Sequence, residues 1–230
     1  LEAERVRVSA PPGVLTDAVR AGLTRYKTEL QILLEKQAMQ QMPPVPRTGK
    51  EPLSSAQQRL WFLQQVEANS AYNMPAILHL QGDLQFAVLQ QAINTVVARH
   101  ETLRTTFLEE AGVIYQHIAE PAPVPLPIIE LAPSPHRHQA QAALRLAEDE
   151  LHQPFDLAQG PLLRVVLIRV TPTADAPAQP PEQYLVFNMH HIISDGVSIG
   201  LLIDEFAALY SAGIRGETTK LPSLPVQYAD

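Results

Sequence analysis

The sequence predicts an α+β fold, a mixed sheet with helices packed against it. Three observations lead there. Apolar stripes at helical spacing alternate with short runs rich in β-branched residues. Two pairs of those runs read as hairpins, which a purely parallel, doubly wound sheet would not show. Proline is abundant, 21 of 230 residues against a usual ~5%, and its clusters mark the joints between segments.

Residues 1–12 open with Arg5-Val6-Arg7-Val8, the alternation of a short amphipathic strand, which Pro11-Pro12-Gly13 stops. Thr16 is placed to cap a helix with Asp17 in its first turn, where the helix dipole favours negative charge. Val19, Leu23, Tyr26, Leu30 and Leu33 follow at helical steps, the stripe of one amphipathic helix. A strand and one helix bury little by themselves. Residues 1–37 are therefore expected to pack on a further N-terminal element, a partner chain or the main domain. The polar, proline-rich residues 41–51 read as a semi-rigid spacer. The expected organisation is a small segment over 1–40, a linker over 41–51 and a main domain over 52–230.

In the main domain, Ser54 or Ser55 can cap a helix carrying Leu60, Trp61 and Leu63. A strand is predicted over 75–81, ended by Gly82-Asp83. A long helix follows, with Leu84, Val88, Leu89, Ala92, Ile93, Val96 and Val97 on one face. After Arg99-His-Glu-Thr-Leu-Arg104 the chain turns to a strand, and Val113–Ile118 returns beside it across Gly112. A proline-rich crossing loop contains one extended piece, 128–131. A helix is expected over 139–153 and a strong strand over 162–170. An exposed loop over 171–182 then leads to the strand 184–190, the hairpin neighbour of 162–170. A last helix, 197–212, should turn Leu201, Leu202, Phe206 and Leu209 inward.

Composition excludes several function classes. With 17 basic and 24 acidic residues the net charge is −7, so no basic excess exists to neutralise nucleic-acid phosphates or an anionic membrane. Zero cysteines remove disulfides, thiolate metal sites and a cysteine nucleophile together. No apolar run reaches membrane-span length, and the first residues lack the pattern of a signal peptide. A cytoplasmic location fits. The chain starts at Leu1 rather than Met, and it is expected to be part of a longer polypeptide.

The stretch that invites chemistry is Met189-His-His-Ile-Ile-Ser-Asp-Gly196. Consecutive strand residues point to opposite faces, so His190 and His191 cannot enter one pocket together. One should be scaffolding and the other should reach the site. That geometry also counts against a metal, for which no further ligand cluster is evident. A neutral imidazole suits accepting or positioning a proton near neutral pH. Asp195 could orient an imidazole or pair internally with an arginine. Gly196 would permit a tight turn and close backbone approach. The start of the following helix would present N–H groups to a developing oxyanion.

This stretch resembles the HHxxxDG signature of nonribosomal peptide synthetase condensation domains, of the chloramphenicol-acetyltransferase-like superfamily. Ser55-Ala-Gln-Gln-Arg-Leu-Trp-Phe-Leu63 is similar to the family's first motif and Arg99-His-Glu-Thr-Leu-Arg-Thr-Thr-Phe107 to its second. Gln227-Tyr-Ala-Asp230 looks like the start of a fourth. The resemblance implies amide formation: the amine of one carrier-bound aminoacyl thioester attacks an acyl or peptidyl thioester on another. Both substrates ride on phosphopantetheine arms of upstream and downstream carrier proteins, and the chain itself needs no cofactor. His191 matches the histidine that positions or deprotonates the amine. The resemblance makes His190 scaffolding and Asp195 a structural residue paired with Arg99 or Arg104. The wording of the motifs is most like the subtype joining two L-residues, with starter-type and epimerization domains as near relatives. A full domain has two lobes, so this chain is expected to be the N-terminal lobe and inactive alone. Arg5-Val-Arg-Val-Ser-Ala-Pro-Pro-Gly-Val-Leu-Thr16, with the helix after it, looks like part of a tubulysin-synthetase-type docking domain. It implies that residues 1–37 bind the C-terminus of an upstream synthetase polypeptide. The rival readings are a pure interaction module and a stand-alone CoA-dependent acyltransferase.

Overall fold

In the computed structural model the described residues are 15–39, 43–67, 69–131, 136–170, 181–217, 219 and 221–230. The expected strand at 5–8 and the loop at 171–180 lie outside them. The chain divides into two compact units. The first takes Leu1–Val45 with Ser223–Tyr228 and Asp230, and the second takes Pro46–Pro222 with Ala229.

In the first unit, α1 (Asp17–Arg25) is capped by the Thr16 hydroxyl, which accepts from the Val19 amide at 3.3 Å. The single helix expected here is two. Tyr26, at φ −104° and ψ 22°, ends α1, and α2 (Lys27–Met39) starts at the next residue. Gly22, whose carbonyl accepts the Tyr26 amide, weakens that last turn because glycine is a poor helix former. Of the predicted stripe Val19, Tyr26 and Leu33 are exposed and Leu23 and Leu30 half-buried, and Ile32 beside it is exposed as well.

The second unit holds two sheets. The smaller is antiparallel, ordered β1 (Glu51–Pro52), β4 (Val113–Ile118), β3 (Thr105–Glu110). β3 and β4 form the expected hairpin, with Glu110 opposite Val113. Its two-residue turn takes Ala111 and Gly112 to φ 52° and 79°, the primed geometry that matches strand twist. The helix α3 (Ser55–Val66) starts from Ser54, whose side chain and that of Gln57 form a reciprocal capping box.

The larger sheet runs β2 (Asn73–Gln81), β7 (Glu182–His190), β6 (Leu163–Val170), β5 (Ile128–Glu130). β2, β7 and β6 are antiparallel, and β5 joins β6 in parallel. The sheet is therefore mixed, as predicted. Leu163, Val165, Leu167, Leu185 and Met189 face one core with Leu89, Ile93, Val96 and Val97 of α4 (Phe86–Arg99) and Phe206 of α6 (Gly196–Ile214). Val166, Ile168, Val170 and Val186 face the other, with Ala143 and Ala147 of α5 (His136–Leu151). Each such aliphatic side chain stabilises by roughly 1.5–3 kcal/mol when buried. β6 and β7 are thus buried on both faces.

α6 departs from expectation on one face. Leu202 and Leu209 pack on the core and Phe206 is buried, but Leu201 is 51% exposed and Val197 85%. Four apolar residues do not fit on one narrow stripe, and Leu201 is the one turned out. By length and composition α6 is the one helix among the described residues apolar enough to cross a membrane. It packs one face against α4, with Phe206 and Ala212 buried.

Candidate active site

β7 ends at His190, in the centre of the sheet, and the chain turns through 191–194 before α6 begins. The turn is drawn tight by Ile193 N–H to His190 O at 3.0 Å and is anchored by the buried side chains of Ile192 and Ile193. His191 N–H bonds Tyr72 O at 2.8 Å, extending the pairing with β2 by one residue. The two histidines diverge as a strand requires.

His190 is fully buried. Its Nδ1 accepts the Ile192 amide at 3.0 Å, so the neutral ring carries its proton on Nε2. That Nε2 has no hydrogen-bond partner among the described residues. Phe155 meets the ring edge-on at 6.2 Å, and the Arg164 guanidinium lies 3.8 Å over the Phe155 ring. Burial, helped by the charge of a protonated His191, pushes the His190 pKa down to about 4.

The support on this side is extensive. Arg164 binds Glu150 Oε1 at 2.5 Å and the Gln153 carbonyl at 2.7 Å. Asn188 Nδ2 donates to Glu150 O, and Asn73 Nδ2 to the Leu151 and Gln153 carbonyls. Three strands thus cap the orphan carbonyls at the end of α5 and deliver Phe155 to His190. The sequence reading missed Arg164, Asn188 and Asn73. A charged residue inside the apolar run 162–170 was the available signal.

His191 is exposed. Its Nδ1 lies 2.6 Å from Ser194 O. A carbonyl only accepts, so Nδ1 carries the proton and the neutral ring turns its Nε2 lone pair outward. That is the arrangement a base or amine acceptor needs, with the tautomer set by a backbone carbonyl in place of a carboxylate.

Asp195 is the cap of α6. Its Oδ1 accepts the Ser198 amide at 2.7 Å and the Ser198 hydroxyl at 2.8 Å, while Ser198 Oγ accepts the Asp195 amide. These bonds, with a smaller contribution from the Val197 amide, hold its carboxyl below the usual range. This corrects the expected arginine partner. Arg99 instead binds Glu205 of α6 through Nε, at 3.0 and 3.2 Å, and reaches the Pro222 carbonyl. Arg104 bonds the Ala119 carbonyl and lies 4.0 Å from Glu101. A short carboxylate placed at a helix start satisfies the nearest amides first. The same cap takes up amides that had been assigned to an oxyanion.

Gly196 has no positive φ, and a Cβ there would meet nothing within 4 Å. Neither the turn nor packing within this chain requires glycine, contrary to expectation. Glu205, which also receives His100 Nε2 at 2.7 Å, is a further residue the sequence reading missed. Its signal was a carboxylate between Leu202 and Phe206 on the inward face. Among the described residues no group of three His, Asp or Glu side chains could hold a metal ion.

Comparison with known proteins gives concordant results. The condensation-domain family model matches residues 47–230. A linear gramicidin synthase polypeptide of Brevibacillus parabrevis is 42% identical over 191 residues, covering 83% of this chain and 2% of that protein. Chondramide synthase of Chondromyces crocatus is 41% identical over 188 residues, covering 81% and 5%. Among solved structures, the X-domain from teicoplanin biosynthesis superposes with a TM-score of 0.68 at 31% identity, covering 81% of this chain and 38% of that one. The starter condensation domain of rhizomide synthetase gives 0.66 at 28%, covering 75% and 40%. The chain therefore spans a small part of its curated relatives and about two fifths of these solved chains.

Proposed function

The chain belongs to the condensation-domain family, and from that premise we propose that it contributes the histidine wall of a site that makes amide bonds in nonribosomal peptide synthesis. The substrates are two thioesters on phosphopantetheine arms of carrier proteins, an acyl or peptidyl donor upstream and an aminoacyl acceptor downstream. Similarity of the motifs points to the subtype that joins two L-residues. The observation that carries the reading is His191: exposed, with Nδ1 committed to Ser194 O and Nε2 left for a substrate amine.

In this reading the amine is held through a hydrogen bond to Nε2 with its lone pair toward the donor carbonyl. The C–N bond forms, the C–S bond breaks, and the thiol leaves on the upstream arm. The proton lost by the amine passes to Nε2 or to the departing sulfur. A second lobe supplies the opposite wall, consistent with a chain that spans about two fifths of the solved domains it matches and with the open space over Gly196. The site works in the cytoplasm and needs neither a nucleic acid nor a membrane.

The test is single-turnover amide formation by the complete condensation unit with two loaded carriers. His191→Ala is expected to slow it by about 10²–10⁴-fold, and an unchanged rate would overturn the reading. A pH–rate profile separates base from positioning. A base leaves a limb at the imidazole pKa that the variant lacks, and positioning lowers the rate uniformly.

A second function rests on the exposed Val19 of α1, Tyr26 at the break, and Ile32 and Leu33 of α2. These side chains suit a docking contact with the C-terminus of an upstream synthetase polypeptide. Deleting residues 1–40 should abolish co-elution with that partner and leave single-turnover chemistry intact.

A further inference from the structure

We infer that Thr102 and Glu205 are positioning residues for His191, acting as a clamp on the two sides of the turn that carries it. The inference rests on the reading of His191 given above. His191 holds its tautomer through the Ser194 carbonyl, and that carbonyl is only as well placed as the peptide before it and the helix after it.

Both are gripped from one short segment. Before the Asp195 cap, the Ile193 carbonyl accepts the Thr102 hydroxyl at 3.0 Å. After it, Glu205 is the buried acceptor for Arg99 and for His100 Nε2. The gripping residues 99, 100 and 102 come from the end of α4 and the 3-10 turn Glu101–Arg104.

That turn is itself firmly seated. Leu103 is buried, the Thr105 hydroxyl donates to Glu101 O at 2.8 Å, and Arg47 binds Glu101 Oε2 through Nε and Nη2 at 2.9 and 2.7 Å. A tilt of the Ile193 peptide or a slip of α6 would move Ser194 O and release the Nδ1 proton. The ring would then be free to take its other tautomer and turn Nε2 away from the substrate. Catalytic geometry tolerates only a fraction of an ångström of such drift.

The experiment is nitrogen-15 NMR of this chain with labelled histidine, His191 being assigned among the 8 histidines by its loss in His191→Ala. The wild type should show Nδ1 protonated and Nε2 as the bare nitrogen. Thr102→Val, nearly the same shape without the hydroxyl, should shift the pair toward the opposite tautomer. Thr102→Ser should restore the wild-type pattern. Glu205→Gln should shift it in the same sense as Thr102→Val, with circular dichroism checking that each variant stays folded. In the complete condensation unit, Thr102→Val should lower kcat by about tenfold, with KM changed less than about twofold. A folded Thr102→Val chain with wild-type His191 shifts would overturn the clamp. The tautomer readout does not depend on amide formation, so it stands apart from the His191→Ala rate that tests the proposed function.

Discussion

His190 and His191 are neighbours in sequence, yet the two sides of this strand end are built by different means. On the inner side His190 has no solvent exposure, and its surroundings come from three strands and the loop after α5. On the outer side His191 and Asp195 are exposed, and the hydrogen bonds of their side chains run to residues three positions away. The inner side is long-range and dry, so a change there is felt by the whole unit. The outer side is local and wet, so a change there should be felt mainly by a substrate.

The contrast can be broken or sharpened by measurement. The largest stability effect is expected at Glu205. Its removal in Glu205→Ala leaves Arg99 and His100 without their shared acceptor in a mostly buried site. The loss should be about 3–5 kcal/mol, read from the denaturant midpoint. A loss below about 1 kcal/mol would mean the ion pair is far wetter than its geometry indicates.

Next comes the pH dependence of His190. Its folded pKa, about 4, lies below the ~6.5 of an unfolded histidine. Between those values the unfolded chain binds the proton and the folded chain refuses it, so stability rises with pH across that window. The contribution is complete above ~6.5 and is lost as pH falls toward 4, about 3 kcal/mol in all. His190→Gln, which cannot titrate, should show a flatter pH–stability curve over that interval. Parallel curves would place the proton elsewhere.

Smaller effects belong to the outer side. Asp195→Ala removes a helix cap and should cost about 1 kcal/mol, visible as a lower thermal midpoint, with Asp195→Asn recovering most of it. His191→Ala, for which a large loss of rate is expected, should change stability by less than about 0.5 kcal/mol. A large destabilisation by His191→Ala would erase the difference between the two sides.

Much of this arrangement was legible in the sequence because it is governed by local periodicity. The strand period of two separated the histidines, and the predicted stripe contains all five buried residues of α4, Leu89, Ala92, Ile93, Val96 and Val97, with Leu84 falling before the helix. The Thr16 and Ser54 caps and the β3–β4 turn followed from short-range preferences. Where sequence reading failed, the missing information was a partner far along the chain. The expected partner of Asp195 is Arg99 or Arg104, but Arg99 binds the carboxylate of Glu205, 106 residues away, and Arg104 the Ala119 carbonyl. Asp195 had already found Ser198 three residues on. The break at Tyr26 was hidden because the apolar steps continue across it unchanged.

By itself, then, the sequence determined that one histidine faces inward and the other outward, since alternation is a property of any extended backbone. Alternation could not say which was which; only the resemblance of the motif pointed to His191 as the outward one. Burial of His190 was decided when Phe155, Tyr72 and the end of α5 closed over one face of the sheet. Exposure of His191 followed, because the turn that begins there leaves its ring on the open side. Local preferences are short-range free energies carried by each stretch of chain. The pairing of a buried polar group is decided by whichever acceptor packing brings within about 3 Å, and only the tertiary structure makes that choice.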